Sequence, residues 1–205
     1  MSRDSHLDCR AAGSGRYARG MVQSVCAVRP IKRIQVFSRD PANVKGFCED
    51  MRAALGIEVV ACASGREAVR GADIMVTATS GNTIVFEADW IEPGVLMMSL
   101  APGEFDEETV LRSRVYLSAP EQVLGDEPPR KPFNTLVASG RFGPEDVVAD
   151  ICDVAAGKKP GRTSDDEIIL YESAGLALLD VGIGHWVYQR ARSRGIGTEM
   201  PFGEH

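Results

Sequence analysis

Gly13-Ser14-Gly15-Arg16-Tyr17-Ala18 has the spacing G-x-G-x-x-A. Glycines at the first and third positions let the backbone turn sharply and admit a close neighbour, and a helix starting directly after such a turn aims its free N–H groups at whatever lies in front of it. A pyrophosphate suits that geometry. The pattern is short, and the segment before it, Leu7-Asp-Cys-Arg-Ala-Ala12, reads as a poor strand because Asp8 and Arg10 stand where apolar residues should be. The surrounding sequence has to decide the reading.

Outward from the turn, apolar β-type segments alternate with helix-like stretches, the mark of a parallel sheet with crossover helices. Strands are predicted at 34–37, 57–61, 74–79, 95–100 and 115–117. Helices are predicted at 43–55, between the Asp40-Pro41 start signal and Gly56, and at 65–70 and 107–113. Ile74-Met-Val-Thr-Ala-Thr79 is nearly continuous in apolar and β-branched residues, as a strand covered on both faces should be, and is placed at the sheet centre. Residues 120–141, with Pro128-Pro129 and Pro132 near Arg130 and Lys131, read as a surface connection. A helix follows at 147–156, then a strand at 167–171 and one long helix at 174–194. The expected fold is α/β, a Rossmann-type doubly wound, mostly parallel sheet with a long C-terminal helix. A dinucleotide-binding domain over 1–160 is expected to carry the strand and helix of 161–205 packed back on it.

Ser38 follows Gly13 by 25 positions, close to the usual spacing to the residue that reads the adenosine ribose. An acidic residue there selects NAD. Here Ser38-Arg39 removes a carboxylate that would repel a 2′-phosphate and adds a guanidinium able to pair with one, which favours NADP over NAD. Arg39 also reads as a solvated turn cation ahead of a helix.

The 205 residues suffice for one substantial core, and 44% hydrophobic with 25% charged residues is ordinary globular usage. A net charge of -6 disfavours nucleic-acid binding, which needs a basic face. The opening residues show no apolar leader region, and no apolar run approaches a membrane span, so a cytoplasmic protein with a small anionic ligand is expected. Five cysteines without a C-x-x-C pair suggest reduced thiols. The histidines, His6, His185 and His205, have no metal-ligand spacing, so no metal is expected. Asp165-Asp166-Glu167 reads as a solvated cap, and no G-x-S-x-G elbow is present.

The chain resembles the ornithine cyclodeaminase/μ-crystallin family in consecutive blocks. These are the Gly13 turn, the run from Val28 to Arg39, the run from Ala68 to Thr79, the stretch Asp166–Asp180 and the tail Gly195-Ile-Gly-Thr198. The resemblance implies binding of a nicotinamide dinucleotide, with a small amino acid or cyclic imine as substrate and a homodimeric assembly. It places Gly13, Gly15, Arg16 and Tyr17 at the pyrophosphate and Ser38 and Arg39 at the ribose. Thr79 falls beneath the cofactor, Ser99 and Leu100 beside it, Ser173 near the nicotinamide, and Ala174 at the substrate. Thr79 has support of its own, since ligands sit outside the carboxyl ends of parallel strands; it also reads as a helix cap or a buried, backbone-satisfied hydroxyl.

Two departures bear on catalysis. Family members carry a preceding domain that binds the substrate carboxylate and builds much of the dimer interface, and this chain begins almost at the glycine turn, so the substrate half is expected to be missing. Cyclodeaminases also place a catalytic Asp after the strand that here runs into Ser99-Leu-Ala-Pro-Gly-Glu-Phe-Asp106, and Gly103 falls near that position. Glu104 and Asp106 read as first-turn acids of the next helix, or as substitutes for the Asp. No catalytic residue is assigned.

Overall fold

Leu7–Ala12 (β1) forms a strand in spite of its two charged residues. In the computed structural model, which describes residues 7–79, 84–125 and 130–200, the expectation of a poor strand fails because Asp8 and Arg10 partner each other. They stand two residues apart, hence on one face. Arg10 Nη2 donates to Asp8 Oδ2 at 3.1 Å and to the carbonyls of Arg70 and Gly71 at 3.0 and 3.3 Å. Arg10 is only 3% exposed. The opposite face carries Cys9 and Ala11 into an apolar cluster.

The chain continues as Arg16–Val28 (α1), Ile31–Phe37 (β2), Pro41–Leu55 (α2), Glu58–Ala61 (β3), Gly65–Val69 (α3) and Ile74–Thr77 (β4). Leu96–Ser99 (β5), Glu107–Arg112 (α4), Arg114–Leu117 (β6), Pro120–Leu124 (α5) and Phe133–Ala138 (α6) come next. Val147–Asp150 (β7), Ile151–Ala155 (α7), Ile169–Glu172 (β8) and Ala177–Ser193 (α8) complete the series. The eight strands form one sheet in the order β3-β2-β1-β4-β5-β8-β6-β7, and every pairing in it is parallel. The fold is a Rossmann-like α/β architecture.

Both faces of the sheet are covered. In β4, Ile74 and Val76 join a cluster with Val22, Phe47 and Met51 of α1 and α2, while Met75 joins a second cluster with Phe86, Met97 and Leu170. Side chains alternate faces along a strand, so an unbroken apolar run is what a doubly covered strand needs. Asp40 caps α2 by accepting the Ala42 and Asn43 amides, and Gly56 ends it in a left-handed conformation at φ 67°, the stop that glycine tolerates without a Cβ penalty.

Two expectations are corrected. The predicted helix at 147–156 is a strand followed by a short helix: β7 pairs with β6 from Val147↔Val115 onward, and Asp150 ends the strand and caps α7 through the Cys152 amide at 2.7 Å. Paired valines favour a strand, and an N-capping Asp four residues in divides the segment. The predicted surface connection at 120–141 contributes to the core instead. Val123, Phe133 and Leu136 are all buried, and the Phe133 ring meets that of Phe142, just beyond the segment, edge to face at 5.6 Å. Pro128 and Pro129, like His6 and His205, lie outside the described residues.

The sheet, including β8 between β5 and β6, belongs to the unit ending at Ala174. Residues 175–205 form a second unit around α8, a 17-residue helix in which no residue is buried. Among the described residues no helix is long and apolar enough to cross a membrane. None of the five cysteines is in a disulfide.

Candidate functional site

Strand order reverses between β1 and β4: β2 and β3 lie to one side of β1, and β4 and β5 to the other. A crevice opens at the carboxyl ends of strands at such a switch point. A cleft of about 560 Å³ lies there. Residues 12–17 line it from the end of β1, 37–40 and Asn43 from the end of β2, and Ala78, Thr79, Ile84 and Val85 from the segment after β4.

The glycine turn has the form the sequence suggested. Gly13 adopts φ 106°, and its amide donates to the Phe37 carbonyl at 3.0 Å, joining the turn to β2. Gly15 is the N-cap of α1 and brings no capping side chain, so the first turn of a 13-residue helix faces the cleft without one. Arg19 braces the turn from behind, donating to the Ser14 carbonyl at 2.8 Å while pairing with Asp50 at 2.8 Å. Arg16 and Tyr17 are exposed at the mouth, Tyr17 to 77%.

Ser38 and Arg39 stand at the β2 end of the same cleft, Arg39 exposed. The carboxylate nearest to them in sequence is committed elsewhere: Asp40 accepts the Ala42 amide at 3.0 Å and the Asn43 side chain at 2.7 Å. Thr79 is half-buried at the other end. The structure thus gathers Gly13, Gly15, Arg16, Tyr17, Ser38, Arg39 and Thr79 around one cavity.

Ser99, Leu100, Ser173 and Ala174 do not line that cleft. They sit at the carboxyl ends of the adjacent β5 and β8, where the Ser173 amide donates to the Ser99 carbonyl at 2.9 Å and the Ala174 amide to Ser118 Oγ at 2.9 Å. Ser99 is buried.

Between these strand ends lies a feature the sequence reading did not identify. Glu104 is 1% exposed. Its Oε1 accepts the amide and hydroxyl of Thr79, both at 2.8 Å, and its Oε2 accepts the Thr77 hydroxyl at 2.6 Å, the Ser99 hydroxyl at 3.1 Å and the Ala101 amide at 3.2 Å. The expectation of a first-turn acid is corrected for Glu104, which precedes α4. Asp106 is the helix N-cap, accepting the Thr109 amide at 2.7 Å. No local pattern in the sequence signalled this, because Thr77 and Thr79 lie 27 and 25 positions from Glu104 and reach it only through the fold.

A second buried carboxyl, Glu172, ends β8 at 4% exposure, with Arg130 Nη2 2.9 Å away. Burial pushes the Glu172 pKa up to about 7; the Ser99 hydroxyl and Arg130 pull the other way without cancelling it, and Glu104 adds to the rise. Arg130 also donates to the Ser173 carbonyl, so it clips the segment before α6 onto the end of β8.

An all-parallel doubly wound sheet with a glycine-turn cleft at its switch point defines a Rossmann-like α/β architecture. The model of the ornithine cyclodeaminase/mu-crystallin family matches residues 6–195, and the chain belongs to that family. It is 29% identical over 199 residues to a Delta(1)-pyrroline-2-carboxylate reductase of Bacillus cereus, covering 93% of this chain and 59% of the relative. It is 32% identical to an alanine dehydrogenase of Archaeoglobus fulgidus, covering 93% and 58%. Among solved structures, the Thermococcus litoralis Delta(1)-pyrroline-2-carboxylate reductase in complex with NADH and L-proline superposes with a TM-score of 0.89 at 30% identity, over 98% of this chain and 62% of that one. The chain therefore spans about three fifths of the length of the relatives it matches.

Proposed function

We propose that this chain is the dinucleotide-binding portion of an NAD(P)-dependent oxidoreductase acting on a small amino acid or cyclic imine, with NADP favoured over NAD. The observation that carries the reading is the single cleft joining the Gly13 turn to Ser38-Arg39 at the switch point of the sheet. In it Gly13, Gly15, Arg16 and Tyr17 would receive the pyrophosphate on the N-terminus of α1, Ser38 and Arg39 the ribose and its 2′-phosphate, and Thr79 would lie under the second half of the dinucleotide. Ser99, Leu100 and Ser173 would stand beside the nicotinamide, and Ala174 would face substrate. The relatives support the substrate class: one is solved with NADH and L-proline, another is an alanine dehydrogenase dimer with bound NAD.

The dinucleotide supplies the hydride; the chain's part is to bind and orient it. Homo-oligomerisation belongs to the same reading. The apolar side chains Leu178, Val181, Ile183, Trp186 and Val187 of α8 are all exposed, and surface of that kind marks an interface.

A second reading, a noncatalytic cofactor-binding or accessory subunit, is favoured by the shortened stretch after β5, where Gly103 falls near the position at which the resemblance implies a catalytic Asp. Absorbance at 340 nm separates the two. With NADPH and Δ1-pyrroline-2-carboxylate, substrate-dependent oxidation of NADPH supports the enzyme; saturable NADPH binding without oxidation of NADPH supports the accessory subunit. Failure to bind NADPH or NADH rejects both.

A further inference from the structure

We infer that Glu104 is a positioning residue for the nicotinamide half of the dinucleotide, acting through the cleft residues it grips; this rests on the dinucleotide reading above. Glu104 does not line the cleft, yet it bonds two residues that do. Its carboxyl takes the amide and the hydroxyl of Thr79, both at 2.8 Å, and its backbone carbonyl takes the amide of Val85 at 2.9 Å. Thr79 and Val85 are both cleft-lining residues at the β4 end, opposite the end formed by Ser38 and Arg39.

The order of the strands fixes which part of the ligand meets this grip. With the adenosine ribose at the end of β2 and the pyrophosphate at the turn after β1, the rest of an extended dinucleotide runs on toward β4 and β5. Those are the strand ends that Glu104 joins, holding Thr77 and Thr79 of the β4 side and Ser99 and Ala101 of the β5 side on its two oxygens. Five donors converge on one side chain that is almost wholly excluded from water, so its place is fixed from both strands at once. Moving it would shift the Thr79 floor and the Val85 wall directly, whereas the glycine turn, which touches the neighbouring Ala78, keeps its own bonds to Phe37 and Arg19, and among the described residues the Ser38-Arg39 end has no bond to Glu104.

The consequence is asymmetric. Glu104→Gln replaces one accepting oxygen with an NH2 group that faces donors, so at least one of the five bonds turns repulsive. The change reaches the nicotinamide end of the cleft and not the adenosine end. The test compares two ligands, NADPH and adenosine 2′,5′-bisphosphate, which keeps the adenosine 2′-phosphate and lacks the nicotinamide half. Affinities are measured by calorimetry on the wild-type chain, Glu104→Gln and Thr79→Val.

In Glu104→Gln, NADPH affinity is expected to fall by about tenfold or more, the size of one lost bond to a buried polar group, while adenosine 2′,5′-bisphosphate affinity stays within about twofold of wild type. Thr79→Val, which removes the hydroxyl bond to Glu104 and keeps the amide bond, is expected to show the same split with a smaller loss, and it carries the test if Glu104→Gln gives no cooperative thermal transition. Unchanged NADPH affinity in the folded variants overturns the inference. Equal losses for both ligands also overturn it, since that pattern is general destabilisation. A wild-type chain that binds adenosine 2′,5′-bisphosphate but gains nothing from the nicotinamide half overturns it while leaving the cleft assignment standing; a wild-type chain that binds neither ligand removes the dinucleotide reading itself.

Discussion

Gly13 lies so close to Ala78 that a Cβ built on it would stand 2.5 Å from the Ala78 carbonyl oxygen. At Gly15, two residues on, the same atom would meet nothing within 4 Å. The first glycine is needed by the fold, where β1 and β4 run side by side and φ is 106°; the second is needed only if something else occupies the open space. Gly13→Ala is therefore expected to destabilise the chain by about 3 kcal/mol or more, from left-handed strain and overlap together. Gly15→Val is expected to cost no more than about 1 kcal/mol, the effect of a poorer N-cap, and to weaken NADPH binding severely. Chemical denaturation of both variants checks this, and a Gly15→Val variant as unstable as Gly13→Ala would refute the division of roles.

Arg39 is exposed at the β2 end of the cleft, and Asp40 beside it is occupied in capping α2. On the proposed reading the guanidinium pairs with a 2′-phosphate. Arg39→Ala is then expected to remove the preference for NADPH over NADH, a loss on the order of 1.5 to 3 kcal/mol, and to leave NADH affinity nearly unchanged. Competition titration with the two reduced cofactors measures it. A variant that keeps its preference would assign the 2′-phosphate to another group.

Glu172 gives the chain a pH dependence of known sign. Its folded pKa, about 7, is raised above the ordinary 4.5 chiefly by burial. The stability it contributes is thus fully present below about pH 4.5 and is lost as pH rises through about 7. Loss over that window is at most on the order of 3 kcal/mol. Glu172→Gln, neutral throughout, is expected to lack this component, so the stability difference between wild type and variant should shift between pH 5 and pH 8 in the variant's favour. Parallel denaturation curves at the two pH values decide it, and an identical pH dependence in both chains would contradict the assignment.

Ornithine cyclodeamination is expected to be absent. The resemblance implies a catalytic Asp near the position of Gly103, and the two nearby acids are engaged: Glu104 accepts five bonds in the interior, and Asp106 holds the N-terminus of α4 and the Ala88 amide. Neither is placed to exchange a proton with a reacting amine. A coupled ammonia-release assay with ornithine, in the presence of NAD or NADP, should not rise above the blank. Clear ornithine-dependent release would show that one of these carboxyls leaves its bonds during turnover.

Much of the fold was legible because parallel strands covered on both faces leave a strong apolar signature, as Ile74-Met-Val-Thr77 does, and because Asp40-Pro41 and Gly56 punctuate α2. What misled was local chemistry settled by distant partners. Arg10 looks wrong for a central strand until the carbonyls of Arg70 and Gly71, sixty positions away in the chain, are brought to it by the fold. The same holds for the site. Gly13, Gly15, Ser38 and Arg39 announce themselves through a motif and a spacing, whereas Glu104 acquires its role only when Thr77, Thr79 and Ser99 converge on it. Phe133 and Leu136 were obscured by the prolines before them, which mark a break in regular structure without saying whether the next apolar residues are buried.

The central claim, that the cleft behind the Gly13-Ser-Gly15 turn holds a nicotinamide dinucleotide, is tested most directly by titrating the wild-type chain and Gly15→Val with NADPH while following nicotinamide fluorescence. The account predicts saturable binding by the wild-type chain, and affinity lowered by about a hundredfold or beyond detection in a Gly15→Val chain that still unfolds cooperatively, since the valine branches would stand where the pyrophosphate lies. Equal titration curves for the two chains, or no fluorescence change with either NADPH or NADH in the wild type, would contradict it.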